Sequence, residues 1–370
     1  MLATPQTCRK MKGKIRSLSR EKPRHGSVLL IGNHLSKWGV ASRQVCEELA
    51  DRLEARGWHV IRTSSRRGRL ARLADILCTV IRRRREYSVA HVDVFSGPAF
   101  LWAEAACTAL RWVRKPYVLT LRGGNLPQWS RGRTGRVRRL LSGAGAVTTP
   151  SRYLLEQMRE YRSDLILLPN ALEIIAYEFR PRTAPQPSLM WLRSFHEMYN
   201  PSLAVKVTAL LAEEFPDVRL TMVGPDKGDG SLQRVRRTAE ELGISGRIET
   251  PGGVPKRDVP TWLNRGDVFL NTTNVDNTPV SVIEAGACGL CVVSTNVGGL
   301  PYLLDHEQDA LLVPPNDAEA MADAVRRVLK EPGLAQRLSQ AARAKAEGFD
   351  WSVVLPRWEA LLEEVAQQAG

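Results

Sequence analysis

Two carboxylates eight positions apart, Asp276 and Glu284, are the residues of this sequence whose chemistry can be inferred most directly. They lie in the stretch 267–302, which has the pattern of a strand, a polar loop, a short helix, a second strand and a glycine turn. Ionised carboxylates only accept hydrogen bonds, so they suit the hydroxyls of a polyol. The helix start and the pair Gly298-Gly299 offer backbone N–H groups, which suit an anion. The stretch therefore predicts a site for a ligand with hydroxyls and phosphate.

A sheet must position these residues, because ligands of open α/β sheets bind beyond the carboxyl ends of the strands. Strands alternate with helices from Val28 onward, which predicts parallel sheets. Pro279 is expected in the first turn of the short helix, where its missing N–H costs nothing. The Pro-rich stretch divides the alternation into two series. The predicted units are a basic, poorly ordered leader at 1–25, a Rossmann-like acceptor-side domain at 26–180, a linker at 181–187, a second Rossmann-like domain at 188–347, and a final helix at 348–370 that can pack back on the first domain.

The charge of the chain is unevenly distributed. Of its 370 residues, 53 are Lys or Arg and 39 are Asp or Glu, for a net charge of +14. Residues 1–180 carry 34 basic and 14 acidic side chains, whereas 181–370 carry 19 and 25. The first half should attract an anionic partner such as lipid phosphate, nucleic acid or an acidic glycan.

The run Arg82 to Arg85 ends a predicted helix at 66–85 and has two interpretations. It is either a solvated basic helix end or an anchor on an anionic membrane surface, to which each basic residue contributes roughly 1 kcal/mol. No nucleic acid is expected, because interleaved aromatics and a nucleic-acid motif are missing. The basic leader lacks the apolar core of a signal peptide, and the apolar stretch 99–113 is too short to span a bilayer. A cytoplasmic location is expected, with peripheral association at the inner membrane face as an addition.

Metal and disulfide chemistry have no support in the pattern. The six cysteines show no disulfide framework, and the pair Cys288 and Cys291 has no second pair to complete a zinc site. Both are expected to be small buried packing residues. The histidines have no ligand spacing, so no metal is predicted.

Further motifs occur in order along the chain: PSRYL at 150–154, LPN at 168–170, WLR at 191–193, VGPDKGDG at 223–230 and LLVPPND at 311–317. Together with Asn271 to Tyr302 they resemble family 4 of the retaining glycosyltransferases, over nearly all of 27–370. The resemblance implies an α/β protein of GT-B fold, with two Rossmann-like parallel-sheet domains facing a central cleft. It also implies transfer of a sugar, with retention and without a metal, from a nucleotide-diphosphate sugar to a glycan, lipid-linked or other hydroxyl acceptor. The donor is then a co-substrate, and no cofactor is needed.

The resemblance assigns roles to individual residues. Glu284 would bind the ribose diol, Asp276 the sugar hydroxyls and Arg193 the diphosphate, whose departing negative charge needs a cation. The catalytic candidates are Asp276, Arg193 and Arg122. Further donor-side candidates are Asn277, Thr278, Gly224, Lys227, Gly298, Gly299, His196 and Glu197, and the candidates in the first-domain loops are Gly32, Asn33, Gly39, Gly123 and Gly124.

Four positions depart from the family pattern. Asp276 stands in place of the first Glu of a Glu-x7-Glu motif, and Met198 stands where a diphosphate Lys is usual, so that His196, Glu197 or Lys227 would have to compensate. Arg122 replaces a common His at a strand end. Tyr302 replaces a carboxylate that often follows the double glycine.

Each candidate also has a purely structural interpretation. Glu284 could be an exposed carboxylate on a helix surface, Asp276 a turn or helix cap, and Arg193 a structural ion-pair partner. His34 and Lys37 are interpreted as loop-surface groups. At the level of the whole protein, the alternatives to a transferase are a GT-B nucleotide-sugar epimerase and a non-catalytic basic protein that binds membrane.

Overall fold

A computed structural model describes residues 26–32, 34, 45–66 and 68–368. The predictions for the leader 1–25 and for Asn33, Lys37 and Gly39 lie outside these residues. Within them, the predicted alternation of strands and helices is confirmed as two six-stranded sheets.

Every strand pairing within the two sheets is parallel. The first sheet has the order β2-β1-β3-β4-β5-β6, and the second has the order β12-β11-β10-β7-β8-β9. The strands are β1 Ser27–Ile31, β2 His59–Thr63, β3 Val89–Val94, β4 Tyr117–Leu121, β5 Ala146–Thr149, β6 Ile166–Leu167, β7 Ser188–Leu192, β8 Arg219–Val223, β9 Ile248–Gly252, β10 Val268–Asn271, β11 Cys291–Thr295 and β12 Ala310–Val313.

The helices connect these strands. They are α1 Val45–Ala55, α2 Arg69–Arg82, α3 Pro98–Trp112, α4 Leu126–Arg131, α5 Thr134–Ser142, α6 Arg152–Met158, α7 Pro201–Ala212, α8 Ser231–Glu241, α9 Val259–Leu263, α10 Val280–Ala287, α11 Leu300–Leu303, α12 Ala318–Lys330, α13 Leu334–Glu347 and α14 Trp351–Gln367. The sequence did not predict α4, α5, α11 or β12. Pro279 was predicted within the first turn of α10, but it is the residue before that helix and has extended backbone angles.

The central strands are buried because helices cover both faces of each sheet, and polar residues such as Thr120 on β4 and Ser294 on β11 are buried with them. β4 and β11 are buried at every residue. The last helix, α14, lies on the first sheet, where Val354, Trp358 and Leu362 share a core cluster with Val28 and Leu30. No helix in the described part of the chain is long and apolar enough to cross a membrane.

The chain crosses between the two sheets twice, and the crossing segments are bonded to each other. The Leu172 N–H donates to the Phe349 carbonyl at 2.8 Å, and the Trp351 N–H donates to the Leu172 carbonyl at 3.2 Å. The Asp350 carboxylate accepts the Ile174 N–H at 2.9 Å. The two segments that link the domains therefore run side by side and are hydrogen-bonded to each other.

A buried ion pair fixes the linker to the second sheet. The Arg182 guanidinium, 2% exposed as a residue, lies 3.0 Å from Asp267 Oδ1 and donates to the carbonyls of Cys288 and Gly266 at 2.7 and 2.8 Å. Asp267 Oδ2 accepts the Gln186 N–H at 2.8 Å. The Pro-rich linker is thus held closely by the start of β10.

Candidate active site

The candidate site lies at the carboxyl edge of the second sheet. Arg193 follows β7, Gly224 follows β8, the loop 272–279 follows β10, and Gly298-Gly299 follow β11. These four strands are neighbours in the sheet, so their ends meet although they are far apart in sequence. The second sheet therefore brings the predicted donor-side residues to one edge.

Arg193 and Asp276 form an ion pair at the centre of this edge. Arg193 Nη2 lies 2.5 Å from Asp276 Oδ2, and the side chains are 25% and 10% exposed. The guanidinium also lies 4.4 Å from the ring centre of Tyr199, which adds a cation–π contact. Arg193 Nε is buried and has no hydrogen-bond partner among the described residues. Since an arginine has five N–H donors, this one can hold Asp276 and still donate to an anion.

Burial raises the pKa of the Asp276 carboxyl, and the positive charge of Arg193 and the Asn277 N–H partly oppose that rise. The Asn277 N–H donates to Asp276 Oδ1 at 2.8 Å. The cation therefore favours the ionised form of this carboxylate and works against the effect of burial.

Glycine is required where the loops of this edge touch. A Cβ on Gly299 would lie 1.7 Å from the Asn277 carbonyl oxygen, and a Cβ on Gly224 would lie 1.7 Å from the Arg193 carbonyl oxygen. The Gly299 N–H donates to the Asp276 carbonyl at 2.9 Å. The glycines therefore let the backbones approach closely enough to hold Asp276 and Arg193 in place.

Glu284 is buried on α10, so the interpretation as an exposed surface carboxylate is wrong. The residue is 4% exposed, and its Oε1 accepts the Tyr177 hydroxyl at 2.6 Å. Lys256 Nζ forms an ion pair with the same oxygen, while its own side chain is 57% exposed. Burial and the charge of Glu284 raise the pKa of Tyr177, which keeps the phenol protonated as a donor. Glu284 is thus a fixed acceptor between a buried phenol and a half-exposed ammonium.

The first sheet places Arg122 on the opposite side, directly after β4. Its Nε donates to Asp93 Oδ1 at 2.6 Å and its Nη1 to Asn170 Oδ1 at 2.7 Å. Gly32 packs against the same carboxylate, since a Cβ there would meet Asp93 Oδ2 at 3.0 Å. The cation at the end of β4 is therefore paired within its own domain.

Buried histidines lie beside this group. His91 Nε2 is 2.7 Å from Thr120 Oγ1, and burial lowers the pKa of His91 to about 4. His34 was interpreted as a loop-surface group, but it is 7% exposed, and burial lowers its pKa as well. Both rings are therefore neutral in the folded protein at neutral pH.

The two domains touch at Asn277. The Ser151 hydroxyl, at the start of α6, donates to Asn277 Oδ1. A Cβ on Gly124 would lie 3.4 Å from the Asn277 Cβ, so this glycine of the β4 loop borders the same residue. Arg122, Gly123, Asn170 and Asn277 line one cavity of about 170 Å³, whereas Thr278 lines a neighbouring cavity with Ser151 and Tyr302. Both domains therefore contribute to the cleft next to Asp276.

The residues considered as substitutes for the missing lysine lie on the outer rim. Lys227 and Glu197 are exposed, and the Glu197 N–H donates to Asp229 at 2.8 Å. His196 Nδ1 accepts the Met198 N–H at 3.1 Å, which caps a local turn. Met198, 46% exposed, is tied to the β10 loop through its carbonyl, which accepts the Asn274 N–H at 2.8 Å. None of the contacts described for these side chains is to Arg193.

Tyr177, Lys256 and Asp93 were missed as site residues. Lys256 follows the turn residues Gly252-Gly253 and Pro255, which marks a polar loop but not a ligand contact. Asp93 lies inside a strand pattern, and Tyr177 stands in an irregular segment before the linker. Neither had a spacing signal.

Two cysteines lie near the site, at the end of α10 and the start of β11. Cys288 and Cys291 are buried, as predicted, and burial raises the pKa of each thiol to about 12. Among the described residues there is no group of three or more His, Cys, Asp or Glu side chains placed to hold a metal ion.

The chain is similar in sequence to known glycosyltransferases. Residues 181–345 match the family model described as glycosyl transferases group 1. Two relatives are D-inositol 3-phosphate glycosyltransferases. The one from Saccharomonospora viridis is 35% identical over 41% of this chain and 36% of the relative. The one from Pseudarthrobacter chlorophenolicus is 25% identical over 74% and 70%, respectively. The chain thus spans about a third of the first relative and about two thirds of the second.

A solved structure extends the likeness to the whole fold. HepE from Anabaena, determined in complex with UDP and glucose, superposes with a TM-score of 0.70 and 17% identity, covering 92% of this chain and all of the other. The two parallel sheets and this likeness define a GT-B protein, as predicted. The second domain matches the model for glycosyl transferases group 1 over residues 181–345, and this match agrees with the predicted resemblance to glycosyltransferase family 4.

Proposed function

We propose that this protein transfers a sugar from a nucleotide-diphosphate sugar to an acceptor hydroxyl, with retention of the anomeric configuration and without a metal. The observation that carries the proposal is the half-buried pair Arg193 and Asp276, 2.5 Å apart, set between the glycine turns of β8 and β11. It combines a cation for phosphate with an acceptor for hydroxyls. Glu284 on α10 supplies a second buried acceptor.

In the proposed reaction, the bond between the anomeric carbon and the diphosphate oxygen breaks as the acceptor oxygen bonds to that carbon. The acceptor attacks on the face from which the diphosphate departs, and a diphosphate oxygen takes the hydroxyl proton. Arg193 stabilises the leaving negative charge through its remaining N–H groups. Asp276 holds sugar hydroxyls and keeps Arg193 oriented.

Glu284 is assigned to the ribose diol. A buried ionised carboxylate with one oxygen held by Tyr177 and Lys256 presents its other oxygen in a fixed direction. Charged hydrogen bonds of this kind contribute about 1.5–3 kcal/mol each. Lys256 is paired with this carboxylate. A bound nucleotide would therefore either displace the Lys256 ammonium from Glu284 or bind to the ammonium as well.

Binding of nucleotide sugars tests the donor assignment. Because UDP and UDP-glucose are named in complexes of HepE, these two come first in a thermal-shift panel of nucleotide sugars. A donor at a hundred times its Kd should stabilise the native state by about 2.7 kcal/mol. The shift should persist in EDTA. If no nucleotide sugar raises the Tm, the donor site is refuted.

Product analysis tests the reaction. We expect the sugar to be transferred to an added acceptor. The new glycosidic bond should have the anomeric configuration of the donor, as assigned from proton coupling constants. Consumption of the donor with isomerisation and no acceptor product would support the epimerase alternative instead. The relatives named for D-inositol 3-phosphate make that compound the first polar acceptor to try.

A further inference from the structure

A large apolar cavity lies in the first domain, beside the cleft. It has a volume of about 620 Å³ and is formed by the ends of β1 and β3 and by α2 and α3. Its walls include Val92, Ile76 and Ala103, which are buried core residues, and the ring of Trp102. A volume of this size accommodates an organic ligand.

The mouth of this cavity is also apolar. Leu70, at the start of α2, is 83% exposed, and Leu101, near the start of α3, is 55% exposed, and both line the cavity. Contiguous exposed apolar side chains at a concave site mark a surface for a partner or ligand. A purely polar acceptor gains nothing from such walls, whereas a hydrocarbon chain gains roughly 0.8 kcal/mol for each CH₂ group it buries.

The cavity adjoins the cleft, because the two share lining residues. Asp93 and Phe95 line both the apolar cavity and the smaller one that holds Arg122, Asn170 and Asn277. Asn277 directly follows Asp276, which is paired with Arg193. A ligand whose chain fills the apolar cavity therefore projects its polar end toward the place where the donor sugar is proposed to lie.

A cation lines the apolar wall. Arg72 on α2 belongs to the cavity lining, and its guanidinium lies 5.4 Å from the ring centre of Trp102. It stands in the half of the chain that carries 34 basic against 14 acidic residues. An anionic group at the junction of chain and polar head would meet complementary charge here.

From the shared lining, the apolar walls and Arg72, we infer that the acceptor is an anionic amphiphile, in which a hydrocarbon chain is joined through a phosphate to the hydroxyl-bearing head. The chain occupies the cavity between α2 and α3, and the phosphate lies near Arg72. This inference rests on the proposed function, because it names the acceptor of that reaction. It gives the transferase a lipid-linked substrate instead of a free sugar.

The first experiment measures binding of decyl phosphate, below its micelle concentration, by titration calorimetry, with inorganic phosphate as the polar comparison. The double variant Leu70→Gln/Leu101→Gln should bind decyl phosphate at least tenfold more weakly than the wild type. Leu242→Gln, which changes a leucine of 45% exposure in the other domain, is the matched control and should bind as the wild type does. Both leucines are exposed, so the double variant should retain the fold.

Arg72→Gln separates the charge from the chain. This variant should lose affinity for decyl phosphate but keep its affinity for neutral decyl maltoside. The inference is overturned if the wild type binds decyl phosphate no better than inorganic phosphate, or if the double variant binds it unchanged. Transfer to D-inositol 3-phosphate but not to a decyl phosphate-linked sugar would also overturn it.

A donor measurement keeps the two proposals apart. The thermal shift caused by the donor nucleotide should be the same in the wild type and in the Leu70→Gln/Leu101→Gln variant. A normal donor shift with unchanged amphiphile binding refutes the acceptor inference alone. Loss of any donor shift in the wild type refutes the proposed function.

Discussion

At the residue scale, Glu284 is the acceptor whose role the geometry makes most testable. Glu284→Gln keeps the size of the side chain and an oxygen for Tyr177 but removes the charge that Lys256 pairs with. We expect the affinity for the donor nucleotide to fall by about ten- to a hundredfold, the equivalent of one charged hydrogen bond. Titration calorimetry measures this change.

The matched control is Glu319→Gln, because Glu319 is an exposed carboxylate on α12 that is not among the site candidates. Its affinity for the donor should stay within twofold of the wild type. Equal affinities for wild type and Glu284→Gln would remove Glu284 from the site.

His91 makes stability depend on pH. Burial lowers its pKa to about 4, against a usual value of 6.5 in the unfolded chain. Between these two values the unfolded state binds a proton and the folded state does not, so stability falls as the pH falls. One pKa unit corresponds to about 1.4 kcal/mol, so moving from pH 6.5 to pH 5 should cost about 2 kcal/mol.

Urea denaturation at the two pH values tests this dependence. The variant His91→Asn should lose about 2 kcal/mol less than the wild type over the same interval, whatever its absolute stability. An equal loss in both proteins would show that other groups cause the acid sensitivity.

The sequence predicted part of this site for a clear reason. Arg193 and Asp276 each follow an apolar run that becomes a strand, and neighbouring parallel strands place such residues together. Tyr177 could not be predicted, because its contact with Glu284 spans 107 positions and begins in an irregular segment. The burial of Glu284 was not predicted either, because a single carboxylate in a short helix is compatible with an exposed position; in the structure α10 is buried from Ser281 to Ala287.

At the element scale, the buried pair of Arg182 and Asp267 joins the linker to β10. Asp267→Ala leaves a guanidinium of 2% exposure without its carboxylate, and breaking a buried pair from one side costs about 3–5 kcal/mol. We expect a loss of this size in the free energy of unfolding, measured by urea denaturation.

Asp258→Ala is the control for this measurement. Asp258 pairs with Arg257, whose side chain is 86% exposed, at 3.5 Å, and surface pairs contribute at most about 1 kcal/mol. If the two variants unfold at the same urea concentration, the linker is not held by the buried pair.

Elements were missed where charge or shortness obscured the pattern. α5 buries Val137, Leu140 and Leu141, but three arginines between 136 and 139 interrupt the apolar periodicity. β12 has four residues and lies at the edge of its sheet, beside β11. The long alternations of strand and helix were predictable because both faces of each central strand are covered.

At the scale of the whole molecule, the basic half of the chain has a testable consequence. Arg82, Arg84 and Arg85 are exposed at the end of α2, whereas Arg83 is held by Glu86 at 2.6 Å. Replacing the three exposed arginines by Ser should lower binding to anionic vesicles at least tenfold, at roughly 1 kcal/mol for each residue. Sedimentation with vesicles measures the effect.

A variant with the same loss of charge in the second domain is the control. Arg236, Arg237 and Arg257 are also exposed, and their replacement by Ser should leave vesicle binding nearly unchanged. Equal binding by the wild type and the α2 variant would refute the anchor.

The two bonded crossing segments limit how the domains can move relative to each other. Because Leu172 is bonded to Phe349 and Trp351, sliding one domain past the other would break these bonds, whereas rotation about the crossing point leaves them intact. Rotation changes the gap between Ser151 and Asn277, the place where the domains touch beside Asp276. The motion that these bonds oppose least is therefore one that opens and closes the cleft.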